Sequence, residues 1–119
     1  MKILVVDDAM FMRTAIKRIL VSDGHDVVAE ASNGKEAVSM YKEYKPDIVT
    51  LDITMPEMDG KEALKKIIEY DPKAKAIMIS ALGQEVYVKE CVLNGARSFI
   101  VKPFNKEKVL SVIDTISNT

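Results

Sequence analysis

Short apolar runs alternate with amphipathic stretches along the whole chain. Residues 3–6, 27–29, 48–51, 76–79 and 98–101 are apolar runs rich in β-branched side chains, with little polar alternation. Such runs predict strands covered on both faces, as in a parallel sheet flanked by helices. The intervening stretches carry a different period. Met12, Ala15, Ile16 and Ile19 follow the i, i+3, i+4, i+7 spacing, as do Ala37, Met40, Tyr41 and Tyr44, and Val109, Val112, Ile113 and Ile116. Each set predicts a helix with one apolar face. Ala63, Leu64, Ile67 and Ile68 mark a further helix, and Val88, Cys91 and Val92 another.

The residues between these elements agree with the pattern. Asn33 followed by Glu36 resembles a capping box, with Asn in place of Ser or Thr. Asn105 is placed to cap the last helix, and Gly95 after Asn94 suits a left-handed helix stop. Pro46 and Pro72 each precede a strand. Five strands alternating with five helices predict a (βα)5 arrangement with right-handed crossovers and helices on both faces. A closed barrel of this type typically needs about twice the length, so an open doubly wound sheet is expected.

Length and charge narrow the function classes. At 119 residues the chain suits one domain spanning 1–119 rather than two. Its net charge is −1, with acids and bases interspersed, so no basic face for nucleic acid is evident. No apolar run reaches membrane-span length, and no signal peptide precedes the first strand. The single Cys91 cannot form an internal disulfide and is expected to be a reduced core thiol. These features predict a cytoplasmic protein.

The chemistry lies at the strand ends. Asp7 and Asp8 follow the first predicted strand, Asp52 follows the third, and Lys102-Pro103 follows the fifth. In a parallel sheet these ends share one edge, and acids distant in sequence can meet at a switch point of strand order. Three carboxylates and one ammonium leave a net −2, the charge a Mg²⁺ ion would neutralise through hard oxygen ligands. Without a metal, crowding should raise one carboxyl pKa. Taken singly, Asp8 reads as a helix N-cap before residues 10–20, and Asp52 as a loop acid before Pro56. Together they predict a magnesium-dependent phosphorylation site.

Four ordered motifs carry a resemblance to a known family: Val5-Val6-Asp7-Asp8, the Asp52–Gly60 stretch DITMPEMDG, Ser80-Ala81 and Lys102-Pro103-Phe104. The chain resembles the receiver domains of two-component response regulators over its whole length. The segment Ala9-Met10-Phe11-Met12-Arg13 and the DITMPEMDG stretch are most similar to stand-alone chemotaxis regulators. The resemblance implies a flavodoxin-like, doubly wound parallel sheet with strand order 2-1-3-4-5. It implies that Asp52 is the phosphoacceptor, taking a phosphoryl group from a histidine kinase. Asp8, Asp52 and the Thr54 backbone carbonyl would hold Mg²⁺ directly, and Asp7 through water. Ser80 and Lys102 would bind phosphoryl oxygens together with Ala81, and Lys102-Pro103 matches a peptide that is cis in the family. Phosphoryl transfer depends mainly on charge neutralisation and in-line positioning, which such a site can supply.

The resemblance also implies a switch, in which Ser80 moves toward the phosphoryl group and a fifth-strand aromatic fills the vacated space. That aromatic is Phe99, where many chemotaxis regulators carry Tyr. Phe99 has no hydroxyl to bury, so the inward position costs less. The alternative is a permanently buried core Phe. Leu82, two residues after Ser80, cannot orient an attacking water, so slower self-dephosphorylation is expected than with an acidic residue there. His25 is expected at the surface, the methionines in core or loop packing, and Lys65-Lys66 and Lys106–Lys108 on solvated helix faces.

Two enzyme or cofactor readings fit less well. A haloacid dehalogenase-type phosphatase would want a second Asp where Thr54 stands, and usually a cap domain. A flavodoxin-type cofactor binder would want a phosphate cradle where Asp7-Asp8 would repel one. The resulting expectation is a monomeric chemotaxis adaptor that catalyses only its own phosphorylation from phosphodonors and its own dephosphorylation. Its output partner would be a flagellar switch protein or an archaellum adaptor, met through the fourth helix, fifth strand and fifth helix. The alternative is a phosphorelay intermediate or a single-domain regulator outside chemotaxis.

Overall fold

The computed structural model describes residues 1–81 and 83–118. Strands β1 (Lys2–Val6), β2 (Asp26–Ala31), β3 (Ile48–Asp52), β4 (Ala76–Ser80) and β5 (Ser98–Val101) alternate with five helices. The helices are α1 (Met10–Ser22), α2 (Gly34–Tyr44), α3 (Gly60–Tyr70), α4 (Glu85–Leu93) and α5 (Lys106–Ser117). The strands form one parallel sheet in the order β2-β1-β3-β4-β5, as expected. Strand order reverses at β1 and β3, so a crevice opens beyond their carboxyl ends. Four strands run further than the sequence pattern marks, which makes Asp52 and Ser80 the last residues of β3 and β4.

The continuous apolar runs have a plain cause. Leu4, Val6, Val49, Leu51, Ala76 and Met78 face one core, closed by Ala37 and Tyr41 of α2, Leu64 and Ile67 of α3, and Val88 and Cys91 of α4. Ile3, Val5, Ile48, Ile77, Ile79 and Ile100 face a second core, closed by Ile16 and Leu20 of α1 and by Val109, Val112, Ile113 and Ile116 of α5. Alternate residues of one strand thus enter opposite cores, and no position in β3 or β4 is left for a solvated side chain. Cys91 is a reduced thiol in the first core, and burial above all pushes its pKa up to about 11.

Several expectations fail at the periphery, most where one face of an element lacks cover. In α1 the inward stripe centres on Ile16 and Leu20, and Ala15 is exposed. Tyr44 and Val92 also point outward. The edge strand β5 buries Ile100 and exposes Phe99 and Val101, so it alternates instead of being covered on both faces. His25 is largely enclosed, with Nε2 3.4 Å from Asp23 Oδ2 and Nδ1 3.4 Å from the amino terminus.

Caps define the helix starts. Asn33 accepts the Glu36 N–H at 2.8 Å, Asp59 accepts the Glu62 N–H at 2.9 Å, and Asn105 accepts the Lys108 N–H at 2.8 Å. Glu36 reaches back one residue further than a capping box requires, accepting the N–H of Ser32. Gly95 adopts φ +109° after α4, as its position predicts.

Two other glycines are required by close approach. The Gly60 N–H donates to the Ile53 carbonyl and the Gly34 N–H to the Met58 carbonyl, at 2.7 and 2.8 Å, which pins the β3–α3 loop at both ends. A Cβ on Gly60 would overlap the Asp52 carbonyl, and one on Gly34 would overlap that of Met58. Gly60→Ala is therefore expected to lower stability by about 1–3 kcal/mol. Urea unfolding of the variant against the parent tests this, and an unchanged midpoint would show that the loop gives way freely.

Candidate functional site

Asp7 begins the site because the chain leaves β1 there while still bonded to the sheet. The Asp7 N–H donates to the Ala31 carbonyl at 3.1 Å, continuing the β1–β2 pairing by one residue. Its side chain, 1% exposed, then turns into the crevice. Asp7 Oδ1 accepts the Ala9 N–H at 2.9 Å, and Oδ2 meets Lys102 Nζ at 3.2 Å. Arg13 supports the same turn, one guanidinium nitrogen donating to the Asp7 carbonyl at 2.7 Å and another pairing with Glu30 at 3.3 Å. Asp8 is not the N-cap of α1: Ala9 holds that position without a side-chain bond, and the exposed Asp8 is free to face the crevice.

Asp52, 7% exposed, arrives at the end of β3. One carboxylate oxygen from each of Asp7, Asp8 and Asp52 lies within 4.8 Å of the others. Trans ligands of an octahedral Mg²⁺ stand about 4.2 Å apart, given metal–oxygen distances near 2.1 Å. The all-oxygen donor set suits a small hard divalent cation, and the three oxygens would draw closer together to hold one. Lys102 reaches the same place from the other side, its Nζ 3.5 Å from Asp52 Oδ1, just after β5 and in a cis peptide with Pro103. Its backbone N–H donates to the Ser80 carbonyl at 2.7 Å, so the end of β4 holds it in position.

The electrostatics follow from this crowding. Burial first, and then the charge of Asp7, raises the Asp52 carboxyl from 3.8 to about 6; Lys102 opposes the rise and Asp8 adds to it. Lys102, 3.5 Å from Asp52 Oδ1, lessens the rise without cancelling it.

The structure thus brings Asp7, Asp8, Asp52 and Lys102 together. Ser80, 2% exposed, ends the neighbouring strand, and Ala81 follows it at the surface. Thr54 lies in the exposed loop two residues past Asp52. Phe99 is 43% exposed and is not a core residue. With Ser80, Ala81, Val88, Val92 and Val101 it lines a cavity of about 520 Å³ between α4 and β5. Leu82 lies outside the described residues.

Two participants had no clear signal in the sequence. Arg13 faces back toward Asp7 one turn into α1, which its helical position could have suggested. Gln84 bridges Thr54 and Ala81 through its side-chain amide, and no pattern in the chain marks it.

This fold and this edge constellation define a class. Residues 3–114 match the response regulator receiver domain model, and the chain belongs to that family. Its relatives narrow the type. The chain is 59% identical over 114 residues to the chemotaxis protein CheY of Listeria monocytogenes, covering 96% of each. It is 56% identical over 117 residues to the chemotaxis protein CheY of Bacillus subtilis, covering 98% of each. A chain in the crystal structure of the CheX–CheY–BeF3–Mg²⁺ complex from Borrelia burgdorferi superposes with a TM-score of 0.94 at 46% identity, covering 98% of this chain and 88% of that one. Over nearly its whole length the chain is thus similar to chemotaxis response regulators of the CheY type.

The raised Asp52 pKa has a stability consequence. Between pH 3.8 and about 6 the folded state holds more protons than the unfolded chain, so stability falls as pH rises through that window. Above it the buried charge is a standing cost. Without divalent cations, Asp52→Asn is expected to stabilise the fold at pH 7.5 by about 1–3 kcal/mol, and much less at pH 4. Urea unfolding of both proteins at both pH values tests this. An equal difference at the two pH values would refute the burial account.

Proposed function

We propose that Asp52 accepts a phosphoryl group from a partner histidine kinase and that the resulting acyl phosphate controls docking of a motility partner. The observation that carries this reading is the buried Asp52 carboxylate, on which the buried Asp7, the exposed Asp8 and the Lys102 ammonium converge. Asp7, Asp8, Asp52 and the Thr54 carbonyl would hold Mg²⁺, which neutralises the acids and draws charge from phosphoryl oxygens when bound. Asp52 attacks phosphorus as the bond to the kinase histidine breaks. Lys102 pairs with one phosphoryl oxygen, and the Ser80 hydroxyl and the Ala81 N–H bind others. The chemistry stops at self-phosphorylation from phosphodonors and self-dephosphorylation, and the protein acts as a cytoplasmic monomer. No helix among the described residues is long and apolar enough to cross a membrane.

The same cavity supports the switch. It reaches from Ser80 to Phe99, so an inward rotamer of Phe99 has room to follow a movement of Ser80. The apolar groove of Val88, Val92, Leu93 and Val101 would then change shape for a flagellar switch protein or an archaellum adaptor. Phosphorelay without a motor partner remains the second reading.

Intact-mass analysis after incubation with a small phosphoryl donor tests the chemistry. One added phosphoryl group is expected, lost without Mg²⁺ or in Asp52→Asn; no adduct on folded protein would end the proposal. Lys102→Ala is expected to slow labelling by about a hundredfold, measured as the rate of adduct formation. Phe99→Ala is expected to be labelled normally but to lose phosphorylation-dependent partner binding, and retention of that binding would refute the switch.

A further inference from the structure

Gln84 stands where α4 begins, and its side chain ties two loops together. Its Oε1 accepts the Ala81 backbone N–H at 2.7 Å, and its Nε2 donates to the Thr54 hydroxyl at 2.8 Å. Both bonds are short, and the carboxamide uses its acceptor on one side and its donor on the other. Thr54 follows β3 and Ala81 follows β4, so the bridge joins the two loops beside Asp52 and Ser80. A residue in the N-cap position normally turns its polar side chain onto the first N–H groups of its helix. Gln84 makes no such bond, and its amide is turned toward the site instead.

We propose that Gln84 is a latch, its side-chain oxygen holding in the resting protein the N–H that a phosphoryl oxygen takes once Asp52 is modified. This rests on the phosphorylation reading, in which the Ala81 N–H is a phosphoryl ligand. One N–H cannot serve two acceptors at full strength, so the arriving oxygen must displace Gln84. An anionic oxygen is the stronger acceptor, which sets the direction of the exchange. Displacement also removes the geometry that holds Nε2 against Thr54, and it uncouples the start of α4 from the β3–α3 loop. The coupling is reciprocal: the bridge lowers phosphoryl affinity by the factor by which the phosphoryl group loosens the bridge. Gln84 is thus a positioning residue, acting through Ala81 and Thr54.

Beryllium fluoride with Mg²⁺, a phosphoryl mimic that binds a carboxylate, is the probe, titrated into the full chain and followed by ¹⁹F and ¹⁵N amide resonances. Gln84→Ala and Gln84→Met, the second keeping the side-chain length, are expected to bind the probe about three- to tenfold more tightly, the worth of one hydrogen bond released. In the probe-free variants the Ala81 amide should exchange with solvent faster than in the parent. With the probe bound, that amide should behave alike in all three proteins. Unchanged or weaker probe binding in both variants, or an Ala81 amide equally protected without Gln84, would overturn the latch. If the parent itself fails to bind the probe in a Mg²⁺- and Asp52-dependent way, the phosphorylation reading falls first and the latch with it.

Discussion

Asp7 and Asp52 are held side by side out of water, and much of the surrounding structure answers their mutual repulsion. A lone buried carboxylate is costly, and two adjacent ones cannot both ionise freely. Asp7 is satisfied by the Ala9 N–H and by Lys102, whereas among the described residues Asp52 has only the more distant contact with that same lysine. The asymmetry leaves Asp52 as the acid with unmet demand for positive charge.

This repulsion is tolerable because the scaffold beneath it is well packed. Each central strand is pressed between two apolar cores, so the strand ends cannot drift apart to separate the acids. The backbone adds its own constraints. Arg13 ties the Asp7 carbonyl to Glu30 on β2, Ser80 holds the Lys102 amide, and the close approach at Gly60 leaves no slack beside the Asp52 carbonyl. The electrostatic conflict is concentrated at Asp52, while local preference and tertiary packing agree nearly everywhere else.

The division between what could and could not be read from the sequence follows from the same physics. The period of apolar residues reports burial, so strands entering two cores and helices with one inward face were legible, as were the caps at Asn33 and Asn105. The meeting of Asp7, Asp8, Asp52 and Lys102 was legible because strand ends in a parallel sheet must share an edge. Exposure at the sheet margin was not: Phe99 and Val101 look like core residues in the chain, and only the incomplete cover of β5 leaves them open. The alternative of Asp8 as a simple helix cap fails because Asp7, one residue earlier, accepts the Ala9 amide and Ala9 holds the cap position. Gln84 was invisible since a side-chain bridge between two loops leaves no periodic trace.

The placement of Cys91 has a practical side. Enclosed among Leu64, Ile67 and Val88, with its ionisation pushed up to about 11, the thiol is almost wholly protonated at neutral pH and shielded from reagents. Thiol-directed labels act on accessible thiolate, so they pass this residue by while the fold is intact. A cysteine introduced at the rim of the α4–β5 groove would be the single reactive position in an otherwise natural sequence. The molecule is thereby suited to carrying one fluorophore or spin label at a chosen point, with its native sulfur left in place.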